Sequence, residues 1–228
     1  MKILRNIVIT GATSPLAIEF IKWANSKSYN LIAISRRLSP ELEDILDTET
    51  DNKLIIADLG NTNDIKKAIN QIEKDYDRID LHINNACGWF EGGLQSTPFD
   101  EIQKQIDSSI TGNILITKMM IPLLLRSSDP QIINICSVVG TGYRFSPNTL
   151  YVVLKGALEA FGRSLRNDLR DKNIRVTNIH LGKLEDGEPA ENARIPLRDV
   201  VKALEFIVSV SPNTSIDNIC LTPIKYYY

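Results

Sequence analysis

Apolar residues in this chain fall into two recurring patterns, short unbroken runs and longer stretches with a period of three to four residues. The run Asn6-Ile7-Val8-Ile9-Thr10 is what a strand buried on both faces of a parallel sheet requires. Similar runs occupy residues 30–35, 53–57 and 79–83, close at Ile135-Cys136-Ser137, and recur at 173–180 and 216–222. Between them lie helical patterns. Residues 63–76 place Ile65, Ala68, Ile69 and Ile72 on one side, and residues 98–127, 150–170 and 196–210 are likewise predicted helical. Residues 12–21 read as a turn entering a helix, with Ser14 as N-cap and Pro15 at the first helical position. Strand and helix alternate throughout. That predicts an α/β fold, a Rossmann-type doubly wound parallel sheet of about seven strands. With no linker or composition shift in 228 residues, the expectation is a single domain spanning 1–228.

The stretches 98–127 and 150–170 are apolar on more than one side, whereas a helix lying on a sheet needs one apolar stripe. The excess predicts a second buried surface and hence a homodimer or homotetramer. A formal charge of −2 with scattered Lys and Arg argues against a nucleic-acid partner. No apolar run reaches membrane-spanning length and no signal-like segment opens the chain, so the expectation is a soluble cytoplasmic protein with no membrane partner. Cys87, Cys136 and Cys220 lack metal-like spacing and read as buried reduced thiols, with no metal expected. His82 and His180 sit in strand runs and read as packed structural residues.

The candidate chemistry gathers between Ser137 and Lys155. On one helix, the four-residue spacing of Tyr151 and Lys155 puts phenol and ammonium on the same face, one turn apart. A free tyrosine titrates near pH ~10. A cation ~4 Å away at an effective dielectric of ~20 favours the phenolate by roughly 4 kcal/mol before desolvation, enough to make such a tyrosine a working acid or base. Ser137, ending a strand, is placed to hydrogen-bond the same substrate oxygen. At the other end of the chain, the strand ending Thr10-Gly11 feeds a helix N-terminus, which is a phosphate site; Gly11, Thr13, Ser14 and Leu16 are its candidate contacts. The second strand runs into Ser35-Arg36-Arg37 with no carboxylate. Arginine there accommodates a 2′-phosphate, which favours NADP over NAD.

Thr10-Gly11, Asn84-Asn85-Ala86, Ser137 and Tyr151-x-x-x-Lys155, in this order, make the sequence resemble the short-chain dehydrogenase/reductase family over nearly its whole length. The resemblance implies a nicotinamide cofactor, Tyr151 as acid/base, Lys155 as the group that activates it and holds the nicotinamide ribose, and Ser137 as the group orienting the carbonyl or alcohol. It further implies cofactor contacts at Asp58 and Leu59 near adenine, at Asn85 and Ala86 in the pocket, and at Gly182. Departures accompany it. Pro15 and Ala17 replace two family glycines, Ala17 adding a methyl where pyrophosphate is expected to approach, so weakened cofactor affinity is the expectation. Cys87 replaces a family glycine, and Leu181-Gly182 a Pro-Gly. Ser109 stands where many members carry a catalytic asparagine, with Asn113 one turn further on. Two functions follow: an NADP(H)-dependent oxidoreductase acting on a carbonyl or secondary alcohol, or a weakened, regulatory nucleotide-binding protein of the same fold.

Overall fold

A computed structural model describes residues 5–46, 52–88, 92–142, 146, 148–185 and 193–225. Residues 89–91 and 186–192 lie outside the described residues, as does the tail Tyr226 to Tyr228. In chain order the elements are β1 (Asn6–Thr10), α1 (Pro15–Ser26), β2 (Asn30–Ser35), α2 (Pro40–Leu46), β3 (Lys53–Ile56), α3 (Thr62–Asp75), β4 (Leu81–Asn84) and α4 (Phe99–Ile106). A π-helical turn (Asp107–Thr111) then leads into α5 (Gly112–Leu124), β5 (Gln131–Ser137), α6 (Thr149–Leu169), β6 (Arg175–Leu181), α7 (Leu197–Ser209) and β7 (Asn218–Leu221). The strands form one sheet in the order β3-β2-β1-β4-β5-β6-β7, and every pairing is parallel. Strand order reverses between β1 and β4. In open α/β sheets that is where a ligand crevice opens, at the carboxyl ends of the strands.

Alternation along the strands divides the core between the two faces. Ile7 and Ile9 of β1 pack with Phe20 and Ile21 of α1 and Leu204 and Ile207 of α7. Val8, Ile32 and Ile34 pack on the other face with Ile65, Ile69 and Ile72 of α3, Ile116 and Met120 of α5, and Leu165 and Leu169 of α6. The stretch 98–127 departs from its prediction. It is two α-helices joined by the π turn, which sets Ser109 inward and buried. The carboxyl halves of the central strands also carry polar residues that packing must satisfy. Asn84, Asn134 and Asn178 are aligned by register across β4, β5 and β6. Asn84 Nδ2 donates to Asn134 Oδ1 and Asn134 Nδ2 to Asn178 Oδ1, each at 2.9 Å, so the buried amides satisfy one another. Gly162 of α6 makes room, since a Cβ there would lie 2.0 Å from Asn178 Oδ1.

Both histidines are buried, as the strand pattern predicted. The thiols differ from expectation. Cys136 is buried, but Cys87 is half-buried and Cys220 is exposed on the edge strand β7. No helix among the described residues is long and apolar enough to cross a membrane.

Candidate active site

The crevice is built by stapling the turn after β1 to the loop after β4. Gly11 takes φ 65°, the left-handed conformation that a glycine adopts without strain. A Cβ on it would sit 2.9 Å from Ala86 Cα, so the two backbones touch across the crevice floor. Asn85 locks them: its Nδ2 donates to Thr10 O at 2.8 Å, Gly11 O at 3.0 Å and Ser14 Oγ at 3.1 Å. Thr10 Oγ1 accepts from the backbone N–H groups of Asn85 and Ala86, both at 3.1 Å. Ser14 caps α1 by accepting from Ala17 N at 3.2 Å, with Pro15 in the first turn, as the sequence predicted.

Above this floor lies an open cavity of about 690 Å³. Gly11, Thr13 and Ser14 line one side, and Ser35, Arg36 and Arg37 continue from the end of β2. Asp58, Leu59, Asn85 and Ala86 line it too. Leu16 and Gly182 are not among the lining residues. The Leu16 side chain is buried in the core beside α1, and Gly182 N donates to Leu221 O at 2.8 Å in the link to β7. The departures from the family's glycine pattern point elsewhere too. Ala17 is wholly buried in the core, so its methyl adds nothing to the crevice, and Pro15 faces solvent.

One wall was missed. Glu101, Lys104, Gln105 and Ser108 all line the cavity and follow the i, i+3, i+4, i+7 spacing of a single helical face. That stripe is polar, and a polar stripe in sequence looks like a solvated surface. The helical periodicity was legible; only the fold shows what it faces.

Ser137, Tyr151 and Lys155 do not line this cavity; Tyr151 lines a small neighbouring pocket that shares Gly88 and Gln105 with it. Asn148 caps α6 by accepting from Tyr151 N at 2.9 Å, which starts the helix so that the tyrosine lies in its first turn. Tyr151 is half-buried, packed beside Gly88, Gln105 and Leu154. Lys155 is 4% exposed, its Nζ donates to Ile135 O at 2.8 Å, and it lies 5.8 Å from the centre of the Tyr151 ring. Burial acts to lower the Lys155 pKa, but Cys87, Tyr151 and Cys136 together outweigh it, and the ammonium titrates above its ordinary range. Burial also pushes the neighbouring Cys136 thiol up to about 12, so that sulfur stays protonated. The loop after Ser137 is pressed onto α6, since a Cβ on Gly140 would fall 2.6 Å from the Lys155 carbonyl carbon. Ser137 Oγ donates to Leu181 O at 3.2 Å.

Ser109, the fourth candidate, is buried in the π turn, where its Oγ accepts from Gly88 N at 2.8 Å. Asn113 Nδ2 donates to Ala86 O at 2.9 Å and Ser109 O at 2.7 Å. Both brace the loop that walls the crevice, and neither lines the cavity. The arrangement offers an open cavity whose wall carries a glycine turn at a helix N-terminus and two guanidinium groups. A phenol with a buried ammonium beside it stands past Gly88 and Gln105, at the start of α6.

Residues 5–193 match the short chain dehydrogenase family profile. A probable NADP-dependent dehydrogenase of Haemophilus influenzae is 30% identical over 220 residues, covering 94% of this chain and 85% of the relative. Among solved structures, an alcohol dehydrogenase from the archaeon Thermococcus sibiricus complexed with 5-hydroxy-NADP superposes with a TM-score of 0.89 at 16% identity, covering 99% of this chain and 100% of that one. A 4-hydroxyisoleucine dehydrogenase complexed with NADH gives 0.86 at 22% identity, covering 96% and 97%. At these identities the two structures share the fold.

Proposed function

This chain belongs to the short-chain dehydrogenase family, and from that premise we propose that it is an NADP(H)-dependent oxidoreductase interconverting a carbonyl and a secondary alcohol. The groove fits the cofactor. The Gly11 turn and the N-terminus of α1 with Thr13 and Ser14 suit the pyrophosphate; Arg36 and Arg37 suit the 2′-phosphate. Asp58 and Leu59 would flank the adenine, with Ser35, Asn85 and Ala86 along the wall. When bound, the nicotinamide supplies or accepts the hydride.

The chain's own residues handle the proton and the substrate oxygen. Tyr151 donates its phenolic proton to the oxygen as hydride arrives, or accepts it in the reverse direction. Lys155, held by Ile135 O and kept cationic, stabilises the phenolate that donation leaves behind. Ser137 turns its hydroxyl from Leu181 O toward the substrate oxygen and orients it. Ser109 acts through Gly88, fixing the loop rather than touching substrate. The observation that carries this reading is the buried Lys155 ammonium set 5.8 Å from the Tyr151 ring, which packs beside Gly88 and Gln105 of the cavity wall. The regulatory alternative lacks such support, since a pure binding protein needs no charged lysine beside a phenol.

The test is NADPH consumption with a panel of ketones, aldehydes and keto sugars. Turnover with at least one class is expected; tight NADPH binding with no consumption across the panel would favour the regulatory reading. The second part of the proposal is assembly as a homodimer or homotetramer through the long helices, supported by Phe99, which is 92% exposed, and by exposed Ile114 and Val153.

A further inference from the structure

We propose that Lys104, on the groove face of α4, is a third cation reading the cofactor's 2′-phosphate, and that Glu101 competes with that phosphate for it. The inference rests on NADP(H) occupying the groove as described above. Its starting point is position. Ser108 Oγ donates to Lys104 O at 2.9 Å, which places the lysine one turn before the π segment. A Cβ on Gly60 would lie 3.8 Å from Ser108 N, and Gly60 N donates to Asp58 Oδ1 at 2.9 Å. Ala57 N in turn donates to Ser35 O at 2.9 Å, joining the loop after β3 to the end of β2. A chain of contacts therefore runs from Lys104 through Asp58 to Arg36 and Arg37. All four line the cavity.

The charges lining the cavity are those of Arg36, Arg37 and Lys104 against Asp58 and Glu101. Glu101 is held in place: one carboxylate oxygen accepts from Gln105 Nε2, and the side chain is only 22% exposed. Its other oxygen stands 3.5 Å from Lys104 Nζ, too long for a strong charge-assisted hydrogen bond. Lys104 is 59% exposed and loosely held, so its long stem is free to swing toward a better anion. A phosphate monoester carries about −1.5 to −2 charges at neutral pH and offers three acceptor oxygens, which makes it the stronger partner. Removing Lys104 should therefore weaken recognition of the 2′-phosphate. Neutralising Glu101 should strengthen it.

That pair of opposite signs is the test. Calorimetric titration of the full chain uses NADPH against NADH, and adenosine 2′,5′-bisphosphate against adenosine 5′-monophosphate, so that each pair isolates the 2′-phosphate. Lys104→Gln is expected to lower affinity for the two 2′-phosphorylated ligands by about 3- to 5-fold, the scale of a partly exposed ion pair, and leave the other two within about 2-fold. Glu101→Gln is expected to raise affinity for the same two ligands. The proposal is overturned if both variants shift NADPH in the same direction, or if Lys104→Gln weakens NADH as much as NADPH. If the unaltered protein itself shows no preference for NADPH, the NADP(H) reading falls and takes this one with it.

Discussion

Acidifying the protein from pH 7 to pH 4.5 should cost it stability through one buried imidazole. His82 is 0% exposed beneath the crevice loop, and its Nε2 lies 2.9 Å from Asn84 Oδ1. Asn84 Nδ2 already donates to Thr117 Oγ1 and Asn134 Oδ1, so Asn84 Oδ1 is an acceptor and His82 is the neutral Nε2–H tautomer. Burial lowers the His82 pKa to about 4, with the hydrogen bond to Asn84 opposing the shift. In the unfolded chain the same group titrates near 6.5. Below pH ~6.5 the unfolded state therefore takes up a proton that the folded state refuses, and stability falls with pH until the folded group also titrates. Above pH ~6.5 the effect is absent. At ~1.36 kcal/mol per pH unit, the loss at pH 4.5 is about 2.6 kcal/mol, and it approaches a limit of about 3.4 kcal/mol well below pH 4. That is a large share of the ~5–15 kcal/mol that holds a typical domain folded. Urea unfolding at a series of pH values, run on the wild type and on His82→Gln, isolates it. Carboxylates common to both proteins cancel in the comparison, and a change in baseline stability leaves the slopes untouched. The wild type should lose stability more steeply by about one proton's worth between pH 6 and 4.5. Parallel slopes, or an NMR titration placing folded His82 near 6.5, would refute the reasoning.

Tyr151→Phe should reduce turnover by about 10²- to 10⁴-fold while NADPH affinity holds, as expected for a lost general acid; full turnover in that variant would remove Tyr151 from the mechanism. Gly112→Ala drives a Cβ to 2.4 Å from Leu59 O, a backbone atom that cannot step aside cheaply. Thermal unfolding should show a loss of about 1–3 kcal/mol, and an unchanged midpoint would mean the contact is looser than described. Light scattering at micromolar concentration should give twice or four times the mass of one chain, and a monomer would sink the proposed assembly.

The sheet was legible because its central strands are buried on both faces and appear in sequence as short apolar-rich runs, with the edge strands β3 and β7 only partly buried, and the structure places the strands within about two residues of the expected bounds. Ser14 and Pro15 fixed the start of α1 for local reasons that need no tertiary knowledge. Other features needed the fold. Helix α2 is seven residues long with only Leu42 buried, too short for an amphipathic period to emerge. The alignment of Asn84, Asn134 and Asn178 exists only once β4, β5 and β6 are in register. Ala17 illustrates the same limit from the other side: motif comparison put its methyl against the cofactor, but helix phase turns it into the core. The polar face of α4 was hidden by its own chemistry, because Glu101, Lys104, Gln105 and Ser108 look the same in sequence whether they face water or a ligand groove.

The central claim is that the groove between the β1 turn, the end of β2 and the Asn85 loop holds NADP(H) with its reactive end toward Tyr151. Titrating the purified protein with NADPH and with NADH, following nucleotide fluorescence, addresses it directly. Saturable NADPH binding at micromolar concentration, at least about 10-fold tighter than NADH, is the predicted result for a site where Arg36 and Arg37 meet the 2′-phosphate. Binding of neither nucleotide, or equal binding of both, would contradict the account.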